Sequence, residues 1–267
     1  MSKKKKIIIA VISAVLLLGL VVAANIILYE KSIKYTQVKI PYLYEEDTST
    51  KRMKNAEPGD IIVFGSYEQD NKTSNGEESI EWIVLSNNGS ELFVVSKYAL
   101  DCQEYEKQRV REITWEKCSL REWLNDDFYN EAFSSSEKSM IKTTYVVNND
   151  SPEYGTEGGN DTQDKIFLLS VEEVTNPQFR LVNAGKKEDA SRRCAPTAYA
   201  VAQGTFISRE NDCTSEGFSP GEWWLRSPGH RADCAASVGI SGSVYIGVDV
   251  NHVDRCVRPA LVIDLNP

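Results

Sequence analysis

The chain has 267 residues, 30 Lys and Arg against 39 Asp and Glu, and a formal net charge of -9. That length suits one globular domain, or at most two small ones, with a core large enough to fold unaided. Setting aside Lys3 to Lys6 leaves 26 basic residues against 39 acidic ones, a balance that argues against nucleic acid or another polyanion as the main partner and suits solubility at a charged cell surface, divalent cations or basic partners.

The four lysines precede an uncharged run from Ile7 to Leu28, 22 residues in length. Crossing the hydrocarbon of a bilayer takes about 20. Basic residues before the run place the N-terminus inside and the rest outside. The sequence therefore predicts a cytoplasmic basic tail over 1-6, a transmembrane signal-anchor over 7-28, a stalk over 29-55 and an exported domain over 56-267. Val22-Ala23-Ala24 fits a signal-peptide cleavage site. Ile26-Ile27-Leu28 continues the apolar run past it, which favours an uncleaved anchor: a single-pass cell-membrane protein with its C-terminal domain extracellular.

Pro58-Gly59-Asp60 is a turn, and Ile61 to Gly65 opens the first buried strand. Trp82 to Leu85 and Leu92 to Val95 flank Asn87-Asn88-Gly89-Ser90, the clearest hairpin of the chain. Ser119 with Glu122 and Ser134 with Glu137 each fit the S-x-x-E capping box, predicting two mid-chain helices. Leu120, Trp123, Leu124 and Phe128 form the apolar face of the first, and Met140 and Ile141 that of the second. Asp126 and Asp127 read as a solvated helical face.

Residues 148-164 read as a long polar loop. Asn148, Asn149, Asp150, Asn160, Asp161 and Asp164 offer oxygens suited to calcium, although the spacing matches no EF-hand. No other cofactor and no metal centre are expected. Lys165 to Ser170 is a further buried strand, and Thr197 to Gln203 one or two helical turns. Trp223 to Gly229 reads as a strand ended by a Pro-Gly turn. Ala235 to Ile240 and Ser243 to Val248 follow, with Ser241-Gly242 as a two-residue hairpin, and Val257 to Ile263 closes the chain. Adjacent tryptophans on a strand face opposite ways, so one of Trp223 and Trp224 can anchor the core while the other lies in a groove.

All six cysteines, Cys102, Cys118, Cys194, Cys213, Cys234 and Cys256, fall on the exported side. An even number there predicts disulfides. Nearest-neighbour pairing would join Cys102 to Cys118, Cys194 to Cys213 and Cys234 to Cys256. With no CxxC and only His230 and His252, a zinc site of familiar spacing is not expected.

A set of motifs points further. Glu81-Trp82 stands in a Glu-Trp-x-Val-Leu strand, and Thr114-Trp115 precedes Cys118-Ser119-Leu120-Arg121-x-Trp123-Leu124-Asn125. Thr162 to Lys165, Trp223 to Gly229 and Val257-Arg258-Pro259-Ala260-Leu261 follow in order. The set resembles a bacterial domain-of-unknown-function family, the one numbered six-two-seven-three. Its C-terminal part resembles the C-type-lectin-like fold shared by sulfatase-modifying factors and retroelement-diversified receptor-binding proteins. The resemblance implies an α+β domain with antiparallel sheets and two mid-chain helices, in which ligands meet the loops of the last meander. The catalytic cysteine pair of the sulfatase modifiers and the iron-binding histidines of the sulfoxide synthases have no counterpart here.

The expected function is a membrane-anchored cell-surface binding module for a protein or glycan. Its ligand-binding residues would be Trp224, Arg226, His230, Arg231, Asp233, Tyr245, Asp249, Asn251, His252 and Asp254. The alternative is an exported enzyme with a substrate groove near Trp223 to Arg226.

Overall fold

The computed structural model describes residues 52-181, 189-207 and 219-267. The tail, the 7-28 span, most of the stalk and Cys213 lie outside them. Among the described residues no helix is long and apolar enough to cross a membrane. A helical turn at 52-54 precedes the first strand, and Met53 and Ala56 are both buried. The packed domain thus begins slightly before Ala56.

The architecture is α+β, with two five-stranded sheets that are antiparallel but for one pairing. The first sheet runs β1 (Ile61–Tyr67), β2 (Glu78–Asn87), β3 (Glu91–Ser96), β12 (Ala260–Asp264) and β7 (Ile166–Phe167). The second runs β10 (Val244–Asp249), β9 (Cys234–Val238), β8 (Trp223–Pro228), β11 (Cys256–Val257) and β4 (Asp101–Cys102). A small ribbon pairs β5 (Thr144–Val146) with β6 (Thr162–Asp164).

Local chemistry explains the first sheet. The Asn87 to Ser90 hairpin forms as its sequence predicts, with Gly89 at φ 87° and the Asn88 carboxamide accepting from the Ser90 and Glu91 amides. Gly65, at φ 74°, sits where β1 shifts register against β2. A side chain there would collide with the Phe133 ring and the Ala132 carbonyl. β12 lies between β3 and β7 with Leu261 and Ile263 fully buried, which is why its sequence is a continuous apolar run.

The run Val257 to Ile263 is not one strand. Val257 ends β11 in the second sheet and Ala260 begins β12 in the first, so Arg258-Pro259 carries the chain from one sheet to the other. Proline, which lacks an amide donor, suits that crossing. Arg258 is buried, its Nε donates to Ser96 O at 2.9 Å, and its guanidinium lies 4.9 Å from the Trp223 ring centroid. β11 also pairs in parallel with β8, so the last strands are more than a simple antiparallel meander.

Two mid-chain helices form. α1 (Ser119–Trp123) passes through a π turn (Leu124–Phe128) into α2 (Tyr129–Ala132), and α3 (Ser135–Met140) follows. Leu120, Leu124 and Phe128 are buried and Trp123 packs beside them, as the helical spacing predicts. Asp126 and Asp127 are exposed. Ser134 and Glu137 make the expected capping box, but Ser119 does not cap α1. Cys118 is the N-cap there, and the Ser119 hydroxyl accepts from Lys107 N, because the preceding segment folds back onto the helix start. Two further short helices are α4 (Val171–Thr175) and α5 (Ala198–Ala202).

The Ser241-Gly242 hairpin is longer than two residues. β9 ends at Val238 and β10 begins at Val244, with Gly242 at φ 82° packed on Asp189 O.

The five described cysteines are buried free thiols, which corrects the nearest-neighbour disulfides. Cys234 and Cys256 lie on strands separated by β8, roughly 10 Å apart at strand spacing, beyond the reach of a disulfide. Cys118 packs beside Tyr105, while Cys102 stands across from Cys256. Register, which sequence separation does not reveal, decides these neighbours.

Candidate functional site

Where the two sheets meet, β8 leaves its own sheet contacts and engages the chain that follows β7. Arg226 N donates to Leu169 O at 3.0 Å, and the Ser227 hydroxyl accepts from Val171 N at 2.9 Å. Tyr105 OH donates to Arg226 O at 3.0 Å. These bonds hold the backbone on both sides of Arg226, so its side chain has a fixed origin.

Its guanidinium is only 5 % exposed and is held on every edge. Nη1 donates to Leu168 O at 2.7 Å and to Glu173 Oε2, Nη2 donates to Glu173 Oε1 at 2.9 Å, and Nε donates to Val147 O at 3.3 Å. Glu173 is itself positioned by the start of α4. Ser170 Oγ accepts from Glu173 N, and Glu173 Oε2 accepts from Ser170 N at 2.8 Å. This capping box fixes the carboxylate that receives the arginine fork, a planar match between two groups of fixed geometry.

Arg226 lies at the back of a cleft of about 480 Å³, within the range usual for ligand sites. The floor is apolar, made by Phe93, Phe167 and Val262 of the first sheet. Phe93 and Phe167 stack with centroids 5.8 Å apart. The polar part of the lining includes Tyr145, Asn149, Glu91, Glu172 and Glu173. Asn149 Nδ2 donates to Glu172 Oε2 at 2.9 Å. Lys142 pairs with Glu91. Arg226 is the sole cation of the lining and Glu173 neutralises it, while Lys142 neutralises Glu91, which leaves Glu172 as the lining carboxylate that favours positive charge. A smaller cavity of about 120 Å³ adjoins Arg226, Asn149 and Glu172 and extends to Ile246 of β10.

Residues 89–265 match the family described as Domain of unknown function (DUF6273). The chain belongs to that family. No curated protein and no solved structure matches it. The DUF6273 span holds Arg226, Glu173, Phe93, Phe167 and Tyr145, and leaves β1 and β2 outside.

Of the residues expected to bind ligand, Arg226 is the one that lines the cleft. Trp224 does not reach a surface. Its ring is fully buried against Tyr105, and its indole donates to Gln103 O at 2.9 Å. Trp223 is equally buried, its indole donating to Arg192 O. Both rings are structural because β8 is an inner strand with material packed on each face.

The others lie at two separate places on the second sheet, one at the Cys234 end of β9 and one beside Trp223 at the start of β8. Arg231 donates to Asp233 at 2.8 Å and to Asp249 at 2.9 Å, and its guanidinium holds the Asp233 carboxyl below the usual range. Cys234 completes that group. His252 pairs with Asp254 at 2.7 Å, and Arg255 joins Asp254 to Glu222. Asn251 lies half-buried in the turn between these two groups. Tyr245 is exposed and covers Gly239. His230 bonds Ile246 O at 3.0 Å and meets the Tyr154 ring edge-on.

The oxygens of the 148-164 loop serve the chain's own donors at separate points. Asp161 accepts from Tyr145 OH and Asn148 N, which holds its carboxyl low and raises the Tyr145 phenol. Asp150 accepts from Gly158 N, and Asp164 pairs with Arg121.

Sequence reasoning missed Glu173, Phe93, Phe167 and Tyr145 as site residues, and singled out Asn149 only as a calcium-suited oxygen. For Glu173 a signal was present, since Ser170-Val171-Glu172-Glu173 is a third S-x-x-E box. For the two phenylalanines there was none, because an aromatic on a strand looks the same whether it faces a core or a cleft.

Proposed function

We propose that this chain is a cell-surface binding module, anchored through residues 7-28, whose exported domain takes a protein or glycan ligand presenting a positively charged group. The cleft carries this reading: the apolar side chains Phe93, Phe167 and Val262 line it together with the Glu172 carboxylate. A ligand group with a hydrocarbon stem and a cationic head, such as a lysine side chain, would lay the stem on the stacked rings and the head against the Glu172 carboxylate. Arg226 and Glu173 shape the wall and stay paired. Arg231, Asp233 and Asp249, the separate His252 and Asp254 group, and Asn251, Tyr245 and His230 offer further contacts for the rest of the partner.

A C-type-lectin-like plan is the fold reading that goes with this proposal. In its support, the first sheet contains the opening strands and the final strand, and the second contains the late hairpin strands. Binding is preferred to catalysis because the polar groups in the cleft are engaged with one another, Ser170 in its capping box and Glu173 with Arg226.

The test is amide-shift titration of the isotope-labelled domain with lysine amide. Saturable shifts at Tyr145, Asn149 and Glu172, abolished by Glu172→Gln with the rest of the spectrum unchanged, support the reading. Shifts confined to Arg231, Asp249 and His252 would move the site to the outer loops. An absence of saturable shifts anywhere would refute cationic recognition.

A further inference from the structure

We infer that Cys102 and Cys256 form a site of reversible oxidation, joined across β4 and β11 by exchange with a small-molecule or protein disulfide. The two residues are direct partners in the antiparallel register of these strands. Gln103 N donates to Arg255 O beside them, while Cys256 N donates to Glu222 O of the other neighbouring segment. They are therefore a non-hydrogen-bonded pair. Such pairs bring Cα atoms to about 4.5 Å with the side chains at their closest. Disulfides span Cα separations of about 4.4 to 6.8 Å.

The side chains share one face and one environment. Cys256 Sγ lies 3.5 Å from the Thr205 hydroxyl, and the same hydroxyl contacts the Cys102 thiol. Cys102 Sγ also approaches Val253 O at 3.3 Å. Cys194 is nearby, but the partners of its Sγ are Lys97 O and Ala195 O, each at 3.6 Å. No nearest-neighbour pairing in sequence brings Cys102 and Cys256 together.

Position in the sheet sets the order of events. β4 is a two-residue edge strand, whereas β11 is enclosed between β4 and β8. Fraying of the edge exposes Cys102 first. Its thiolate attacks one sulfur of the donor disulfide, the donor S–S bond breaks, and one donor thiol leaves with a proton. The Cys256 thiolate then attacks Cys102 Sγ in the mixed disulfide, and the second donor thiol leaves with the second proton. Two electrons pass from the cysteine pair to the donor. Burial holds both thiols above their ordinary range, so exchange follows strand opening and speeds up in mild alkali.

The bond would tie the edge of the second sheet to the segment that crosses to the first. The test uses the full chain in detergent, reduced, freed of reductant and titrated with oxidised glutathione at pH 8.5. Free thiols are blocked with N-ethylmaleimide after unfolding, and cross-linked peptides are mapped by mass. The expected product is a Cys102 to Cys256 cross-link, formed equally in Cys194→Ser, with the unfolding midpoint raised by about 10 °C and restored by dithiothreitol. Cys102→Ser and Cys256→Ser should each abolish the shift. If either variant fails to fold, the wild-type and Cys194→Ser maps decide alone. A link from Cys102 or Cys256 to any other cysteine, or both recovered as maleimide adducts after full oxidation, overturns the inference.

Discussion

Replacing Glu173 with alanine tests how the wall of the cleft is held. In the wild type Glu173 receives two guanidinium N–H groups from Arg226 and the Ser170 amide. Removing one member of a buried ion pair costs about 3-5 kcal/mol, because the remaining charge is stranded, and loss of a cap adds about 1 kcal/mol. Two features hold the total down. Arg226 keeps the Leu168 and Val147 carbonyls, and the Glu173 side chain is 23 % exposed, so water reaches the gap. The expected loss is about 3 kcal/mol, a fall in unfolding midpoint of roughly 6-12 °C for a domain of this size. Urea unfolding followed by tryptophan fluorescence measures it, since all five tryptophans lie in the described domain. Arg226→Met alone should be destabilising too, while the double variant should recover about 2 kcal/mol of the summed losses. A Glu173→Ala loss below about 1 kcal/mol, or strictly additive losses, would refute the claim that the pair acts as a unit.

Gly65→Ala should destabilise by about 2-4 kcal/mol, since it combines a positive φ with collisions at Phe133 and Ala132, and a urea midpoint within error of wild type would contradict that. Trp224→Phe leaves Gln103 O without its donor and opens a small cavity in a fully buried site; the expected loss is about 2-3 kcal/mol by the same assay. Alkaline titration has a defined sign. Burial pushes the Cys118 thiol up to about 12, above its unfolded value of about 8.5, so its contribution is complete below pH ~8.5 and is lost as pH rises toward 12. Cys118→Ala should therefore lose less stability between pH 7 and pH 10 than wild type does, by on the order of 2 kcal/mol in urea midpoints converted with a common slope. Equal losses would show that this thiol ionises normally in the folded chain.

The local vocabulary of the fold was legible in the residues themselves. The Asn87 to Ser90 turn, the Ser134 capping box and the apolar face of Leu120, Leu124 and Phe128 depend on neighbours within a few positions, so short-range sterics and hydrogen bonding decide them. Family membership was legible for a related reason, because ordered motifs along the chain carry it. Other features were settled by contacts over long separations. Nothing in Val257 to Ile263 announces that Arg258 and Pro259 pass between sheets; that follows from β12 finding β3 and β7. Trp224 alternates correctly for a groove, yet an inner strand position encloses it. Cys256 stands opposite Cys102, 154 positions away in sequence, since strand register sets that distance. Arg226 and Glu173 become a site only when β8 docks beside α4 and the first sheet supplies Phe93 and Phe167 beneath them. Short-range rules determine which elements form, while burial of their apolar faces determines which elements meet, and the cleft exists only in that second step.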